Sequence, residues 1–312
     1  MTSSKKITLI AVLTAIASAL LSSFYLPVSS LLMQNDGLSA LFMGGFSFLG
    51  GAIAALVMFL GEKIYAKKKH LSIEPYLNKK DFLILSGQIC SSIASTICLL
   101  YAIKLTSAEN VSLYSSFEIL FTSLLALIVF KEIIHVPSWI GIILIAAGCT
   151  LLSVDFTSTG SIAFSWGSLL ALASCAIWGI DNNLSRLLSH KNKNEATMVK
   201  GFVVGPVLLI IGFCIGDRIV SLNWLYSLML GTVTIGVSII LYMWAQKTLG
   251  ASKTSAFYMF SPFLGSLISL VILKATPNWN YYVALGSVVV GQFFVLFDLL
   301  KRDKKKQEKR LE

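Results

Sequence analysis

The chain has 312 residues, of which 56% are hydrophobic and only 13% are charged, and its net charge is +10. Because a soluble domain carries about 25% charged residues, most of this chain has no surface exposed to water. The basic residues lie in the loops and tails between apolar runs, as in membrane proteins, which argues against nucleic-acid binding. The composition therefore predicts an all-α integral membrane protein.

Apolar runs long enough to cross a bilayer follow one another along the whole chain. A membrane-spanning helix needs roughly 20 apolar residues. We predict about ten transmembrane helices at residues 7–33, 38–60, 82–103, 108–130, 137–154, 163–188, 196–216, 222–246, 254–273 and 279–300. The first run is too long for the apolar core of a signal peptide, so we expect it to remain as the first span.

The cysteines and histidines indicate neither a metal site nor an enzyme. The five cysteines lie inside apolar runs and form no CxxC pair; they are Cys90, Cys98, Cys149, Cys175 and Cys214. The three histidines, His70, His135 and His190, fall in loops. Asp181 and Asp217 are predicted at opposite sides of the membrane, too far apart for an aspartyl dyad. We therefore expect no disulfide framework, no zinc site, no cofactor and no enzymatic activity.

The distribution of basic residues predicts the orientation. With the N-terminus inside, only Lys104, Arg218 and Lys274 lie in outer loops, and Lys200 lies within a span. All other Lys and Arg residues fall on the inner side, including those of the long loop 61–80. Because positive residues are retained in the cytoplasm, we predict a multi-pass protein of the cell inner (plasma) membrane with both termini cytoplasmic.

The second half of the chain repeats the first. A shift of 143 positions aligns Tyr101 with Trp244, Lys104 with Lys247, Phe117 with Phe260, Ser123 with Ser266, Lys131 with Lys274, and Gly148 with Gly291. The predicted units are two five-helix repeats at 1–155 and 156–300, followed by a basic cytoplasmic tail at 301–312. Since five is an odd number, the two repeats have opposite orientations. Inverted repeats are typical of secondary transporters, whose substrate site lies between the halves near the midplane.

Three stretches resemble EamA-type members of the drug/metabolite transporter superfamily. They read YAIKLTSAENVSLYSSFEILFTSLLALIVFKEII (101–134), IWGIDNNLSR (177–186) and LYMWAQKTLGASKTSAFYMFSPFLGSLISL (241–270). The resemblance implies ten spans in two five-span repeats and transport of amino acids, nucleotide-like metabolites or other small solutes. There are two departures. The glutamate after the fourth span is Glu132, but its counterpart is Ala275, and Phe24-Tyr25 replace the usual Trp-Gly of the first span.

Glu118 is the main candidate for a substrate or proton site. It lies near the middle of the predicted span 108–130, with Tyr114 and Thr122 at i−4 and i+4. Residues at these spacings share a helix face, and an ionisable group within the membrane usually faces a cavity or a partner. Such a carboxylate can bind a substrate amine or carry a proton; the alternative is a structural carboxylate satisfied by neighbouring hydroxyls.

Asp181 and Lys200 are predicted to form an ion pair. They flank the short connection between the sixth and seventh spans and fall at similar depths on antiparallel helices. A pair of opposite charges is less costly in lipid than either charge alone. A structural pair is the favoured interpretation; a role in gating or substrate contact is the alternative.

Prolines and aromatic residues complete the candidates. Pro27, Pro206 and Pro262 fall within predicted spans and are expected to kink them, either for gating or for packing alone. Ser261 precedes Pro262 and aligns with Glu118. Several aromatic side chains could form a cage for a cation or for a ring-bearing substrate, or could simply face lipid; they are Tyr101, Tyr114, Tyr242, Trp244, Phe257 and Tyr258.

These features predict a secondary transporter that moves a small polar metabolite, such as an amino acid, by alternating access. Proton coupling through Glu118 is one option. A channel and a membrane scaffold or receptor without transport activity are the alternatives. The expected partners are a small-molecule solute and the lipid bilayer, with monomer and dimer both open.

Overall fold

The computed structural model describes residues 3–35, 38–69, 74–131, 135–156, 162–188, 191–219, 222–249, 254 and 257–311. Nearly all of this part of the chain is helical, in agreement with the predicted class. A short antiparallel hairpin, formed by strands β1 (Val154–Phe156) and β2 (Ile162–Phe164), was not predicted. Glu132, which the repeat aligns with Ala275, lies outside the described residues.

Both halves of the chain consist mainly of helices. The first half contains α1 (Ser3–Ser23), α2 (Tyr25–Asn35), α3 (Ala40–Lys69), α4 (Asp81–Leu105), α5 (Ala108–Tyr114), α6 (Glu118–Phe130) and α7 (Val136–Ser153). The second half contains α8 (Trp166–Leu187), α9 (Lys193–Cys214), α10 (Asn223–Gly231), α11 (Ser238–Leu249), α12 (Ser261–Leu273) and α13 (Trp279–Leu311).

Within the described residues, seven helical stretches are long and apolar enough to cross a membrane. Two shorter apolar helices, Val136–Leu152 and Ser261–Leu273, correspond to predicted spans as well. Helix α8 is not among these apolar stretches, because its second half carries Asp181 and several other polar side chains. The protein is therefore multi-pass, and the count of ten spans stays a prediction.

Three of the predicted spans are interrupted near their middle, and a fourth is interrupted near its start. A turn at Phe24 separates α1 from α2, and a 3₁₀ turn (Ser115–Phe117) joins α5 to α6. A π-helical segment (Thr232–Val237) joins α10 to α11, and a turn at residues 259–260 precedes α12. Local 3₁₀ and π segments often mark hinges or functional sites in helical proteins.

The prolines do not all act as predicted. Pro206 lies inside the continuous helix α9, and Pro27 lies in the first turn of α2, three residues after the break at Phe24. Pro262 was predicted to kink a span, but it lies at the start of α12 rather than in the middle of a helix. The N–H groups in the first turn of a helix have no acceptor within that helix. Proline, which lacks an N–H, can therefore begin a helix without kinking it.

Two helices extend beyond their predicted ends. Helix α3 continues to Lys69, so the first part of the predicted loop 61–80 is helical; its last turn carries Lys67, Lys68 and Lys69, which favour a helix C-terminus. Helix α13 continues to Leu311, beyond the predicted end of the last span at residue 300. This tail contains neither Gly nor Pro and is rich in Lys, Glu and Gln, which are good helix formers.

The helices pack mainly across the two halves. Helix α7 packs against α13, α3 against α9, α4 against α8, and α1 against α11. Glycines allow α3 and α9 to approach closely: a methyl group at Gly201 would lie 2.8 Å from the carbonyl oxygen of Phe48, and one at Gly205 would lie 2.9 Å from that of Gly45. Small residues at such crossings are the usual basis of helix packing in membranes.

The loop before α4 and the turn between α8 and α9 interlock. Lys191 forms an ion pair of 2.8 Å with Asp81, and the Glu195 carboxylate accepts a hydrogen bond of 2.8 Å from the backbone N–H of Leu77. Both connections therefore lie at the same end of the molecule, which is the arrangement that the predicted topology requires.

Candidate functional site

Glu118 is the first residue of α6 and follows the 3₁₀ turn directly. Its side chain is partly buried, and its carboxylate accepts a hydrogen bond from the Nδ2 atom of Asn182. The same Nδ2 atom lies 3.4 Å from the hydroxyl oxygen of Thr122. The carboxylate is thus held by a neutral amide, with Thr122 beside it as the helix spacing predicted.

Helix α8 supplies the amides that hold this part of α6. A methyl group at Gly179 would lie 2.8 Å from Cβ of Phe121, so glycine is needed for the close approach. Asn183 donates hydrogen bonds to the carbonyl oxygens of Thr122 (3.2 Å) and Gly179 (2.8 Å). Asn182 is exposed although it lies within a predicted span. Such exposure is expected of a polar side chain that faces an aqueous cleft.

The contribution of Asn182 was missed at the level of the sequence. A signal was present, because Asp181, Asn182 and Asn183 are three consecutive polar residues within an otherwise apolar run. A helix that places three neighbouring polar side chains in the membrane must satisfy all of them, and this points to partners on more than one neighbouring helix.

Asp181 and Lys200 lie together at the junction of α4, α8 and α9. The Nζ atom of Lys200 is 2.7 Å from Oδ2 of Asp181, and their side chains are 20% and 12% exposed. Ser91 donates a hydrogen bond of 3.0 Å to Oδ1 of the same carboxylate. The geometry brings the two predicted partners together; whether the pair is structural or part of a gate stays a prediction.

A cluster of hydroxyl groups lies on α1, α11 and the start of α12. Tyr258 forms hydrogen bonds with Ser22 and Ser238, and the hydroxyl oxygens of Ser22 and Ser261 are 2.7 Å apart. The rings of Tyr242 and Tyr258 meet edge to face, with 5.3 Å between their centroids. Three candidates from the sequence, Tyr242, Tyr258 and Ser261, thus belong to one hydroxyl cluster.

The hydroxyl cluster and the carboxylate of Glu118 belong to the same region. Tyr258 interacts electrostatically with Glu118, although the two residues come from different halves of the chain. The arrangement therefore combines a carboxylate and a serine hydroxyl of the first half, from Glu118 and Ser22, with hydroxyl and aromatic groups of the second half. These groups can bind a cation and donate or accept hydrogen bonds.

Tyr114 does not share an accessible face with Glu118. Its side chain is fully buried, and its hydroxyl oxygen lies 2.8 Å from that of Ser168. The 3₁₀ turn between the two residues has about three residues per turn, which changes their angular relation from that of a regular helix. A role of Tyr114 in the site stays a prediction.

Two further aromatic candidates lie apart from the contacts of Glu118. The ring of Tyr101 lies near the end of α4, where its centroid is 5.9 Å from Nζ of Lys104. Trp244 is 47% exposed on α11, as expected for a side chain that faces lipid or an open cleft. Neither side chain forms a contact with Glu118 in the described part of the structure, and their roles stay predictions.

Two apolar cavities lie on either side of Phe24. One has a volume of about 390 Å³ and is lined by Phe24, Val28, Leu32, Tyr226, Met229, Leu230, Val233 and Thr234. The other, of about 320 Å³, is lined by Phe24, Leu267, Ile268, Val271 and Ile272. Neither includes Glu118, so the candidate site is defined by its side chains. In the described ranges, no group of His, Cys, Asp and Glu residues is arranged to hold a metal ion.

Comparison with known proteins identifies the family. The model of the EamA-like transporter family matches residues 9–154 and matches again at residues 165–297. This chain is a member of the EamA-like transporter family. The resemblance seen in the sequence is therefore confirmed for the whole membrane-embedded part of the chain, and the protein is a multi-pass membrane protein of a transporter family.

Relatives of this EamA-like transporter carry transporter names. An "Uncharacterized transporter" of Methanothermobacter thermautotrophicus is 30% identical over 233 residues, covering 72% of this chain and 67% of that protein. The "Uncharacterized transporter YoaV" of Bacillus subtilis is 22% identical over 280 residues, covering 84% and 88%. A crystal structure with a TM-score of 0.65 shares the fold over 91% of this chain and 94% of its own, at 17% identity.

Proposed function

We propose that this EamA-like transporter is a secondary transporter that moves a small polar solute across the cell inner (plasma) membrane by alternating access. The observation that carries the proposal is the position of Glu118. A partly buried carboxylate lies beside a helix break, is held by the neutral side chain of Asn182, and interacts electrostatically with Tyr258 of the hydroxyl cluster. Transporters with inverted repeats bind their substrates at such interrupted helices between the two halves.

The contacts of α7 with α13 support an inverted repeat. A methyl group at Gly291 would lie 2.6 Å from the carbonyl oxygen of Gly141, and one at Gly148 would lie 3.0 Å from that of Ala284. A shift of 143 positions aligns Gly148 with Gly291 and Gly141 with Ala284. Each contact is therefore the image of the other, as expected for two helices related by a two-fold axis.

Two further features follow the same shift. The hydroxyl of Ser287 donates a hydrogen bond of 2.7 Å to the carbonyl oxygen of Leu144, which lies 143 positions earlier in the sequence. A contact between two positions that the repeat relates is expected where the helices meet at the two-fold axis. Lys131 and Lys274, also one shift apart, have φ values of 52° and 49° and are the non-glycine residues with positive φ in the described ranges. The family model also matches each half separately.

The interlocked connections support the proposed topology. Both lie at one end of the molecule, where Lys63, Lys67, Lys68, Lys191 and Lys193 are concentrated at or near the ends of α3 and α9. A concentration of basic residues at one end is typical of the cytoplasmic side. We therefore propose that these connections and both termini are cytoplasmic.

The test is transport by purified protein in liposomes. A library of metabolites is first screened for solutes that raise the thermal stability of the protein, because a bound ligand stabilises the folded state. Uptake of the best solutes is then measured, with counterflow to separate a transporter from a channel. Saturable uptake and counterflow are expected for the wild type, whereas a channel would give flux without counterflow and a scaffold no flux.

The role of Glu118 is tested in the same liposomes. Glu118→Gln keeps the shape of the side chain and removes its charge, so we expect normal folding together with loss of transport or of its pH dependence. Among the described residues, Asp181, Tyr258 and Cys175 interact electrostatically with this carboxylate, Lys200 pairs with Asp181, and none of the four is changed. The exposed loop residue Glu74 provides a control, because Glu74→Gln is the same chemical change away from the site. Wild-type uptake and an unchanged pH profile for Glu118→Gln would make Glu118 structural.

A further inference from the structure

We propose that the solute is an organic monocation, a protonated amine that carries no carboxylate of its own. The amine pairs with Glu118, and the rest of the solute lies against the tyrosine rings and hydroxyl groups of the hydroxyl cluster. This inference rests on the proposed transport function and names the class of substrate for the same site.

The charges around Glu118 favour a cationic solute. In its ionised form Glu118 carries a negative charge, and its hydrogen-bond donor, Asn182, is neutral. The two ion pairs of the described residues engage Lys200 with Asp181 and Lys191 with Asp81. Since neither pair includes Glu118, this part of the chain supplies it with no cationic partner, and the solute can provide that partner.

The neighbouring ion pair disfavours a carboxylate on the solute. Asp181 also interacts electrostatically with Glu118, but its charge is already balanced by Lys200. Lys200 is held at 2.7 Å from Asp181 and would have to leave it, at a cost, to receive a carboxylate of the solute. A zwitterionic amino acid would therefore place its carboxylate beside Glu118 without a basic side chain to receive it.

Aromatic rings and hydroxyl groups in this region suit the body of an amine. Tyr242 and Tyr258 form an edge-to-face pair, and the rings of Phe117 and Phe121, which flank Glu118 on its own side, have centroids 5.8 Å apart. Aromatic faces attract cations. An ammonium group has three donors and no acceptor, which suits one carboxylate and neighbouring hydroxyl oxygens. The predicted solute is a compact primary amine with an apolar or aromatic body.

The experiment compares matched ligands that share a hydrocarbon body and differ in their charged groups. One set is phenethylamine, phenylalanine and 3-phenylpropionate; a second is butylamine, 2-aminopentanoate and pentanoate. Each compound is titrated against the purified full-length protein while the midpoint of thermal unfolding is recorded. In at least one set, we expect the amine to bind about tenfold more tightly than the amino acid or the acid, a difference of about 1.4 kcal/mol.

Variants separate a charge effect from a general loss of folding. Glu118→Gln should abolish the stabilisation by the amine, Glu118→Asp should retain part of it, and Glu74→Gln should respond as the wild type does. Thermal midpoints without ligand report whether each variant is folded. An amine that stabilises Glu118→Gln as strongly as the wild type would overturn the inference, as would equal stabilisation by all members of both sets.

Uptake in liposomes distinguishes the two levels of the proposal. Saturable uptake of the amine that depends on Glu118 supports both. Saturable uptake of an amino acid or acid in preference to its matched amine would overturn the monocation inference and leave the transport function in place. Absence of saturable uptake of every solute in the stability library would instead count against the transport function itself.

Discussion

Separating Asp181 from Lys200 is expected to destabilise the protein strongly. Their charged atoms are 2.7 Å apart, and the side chains are 12% and 20% exposed. At an effective dielectric constant of roughly 20, Coulomb's law gives a gross attraction of about 6 kcal/mol at this distance. Most of this is offset by desolvation, but removal of one partner leaves a buried charge alone, at a cost of about 3–5 kcal/mol.

The two single variants should not be equivalent. After Lys200→Met, the Asp181 carboxylate keeps the hydrogen bond from Ser91, whereas after Asp181→Ala the ammonium group of Lys200 loses its ion-pair partner. We therefore expect Asp181→Ala to cost more than Lys200→Met. The free energy of unfolding is measured in mixed micelles titrated with SDS, for both single variants and for the double variant.

A double-mutant cycle gives the energy of the pair itself. We expect a coupling of at least about 1 kcal/mol, because residues in direct ionic contact couple by about 0.5–3 kcal/mol. The exchanged variant, with Asp181→Lys and Lys200→Asp together, should regain much of the stability lost by either change alone. Lys191→Met provides the control, because Lys191 pairs with Asp81 and should not couple to Asp181. Additivity of the two changes at Asp181 and Lys200, within about 0.5 kcal/mol, would refute the pairing.

Two further predictions concern topology and packing. Cysteines introduced by Lys68→Cys and Lys305→Cys should react with a thiol reagent only from the cytoplasmic side of intact cells, and labelling of either from outside would refute the orientation. Gly291→Val should destabilise the protein by about 1–3 kcal/mol, because the added atoms overpack the contact with Gly141. Gly286→Val on the same helix meets no atom within 4 Å and should have a small effect; equal losses of thermal stability for both valine variants would contradict the packing.

Part of the candidate site was accessible from the sequence. A charge inside an apolar run is visible in the residue order, so Glu118, Asp181 and Lys200 could be selected without a structure. The depth of Asp181 and Lys200 also followed from counting residues on two neighbouring helices. Asn182 was missed because a neutral amide has no comparable signal, and its contact with Glu118 depends on the packing of α8 against α6.

Other expectations failed because they assumed regular helices. Tyr114 was placed on the face of Glu118 by a spacing of four residues, but the 3₁₀ turn at Ser115–Phe117 changes the angle between them. Pro262 was expected to kink a helix, but it begins α12. Breaks of this kind are stabilised by contacts between helices, which a hydropathy pattern does not contain.

The sequence by itself determined that the chain belongs in a bilayer, because long apolar runs with few charges are stable only there. It also contained the shift of 143 positions that relates the contacts of Gly141 and Gly148. Only the tertiary structure decided which helices pack together and which side chains meet at Glu118. The physical reason is that lipid and protein interior are both apolar, so hydrophobicity cannot distinguish the face of a helix that packs from the face that meets lipid.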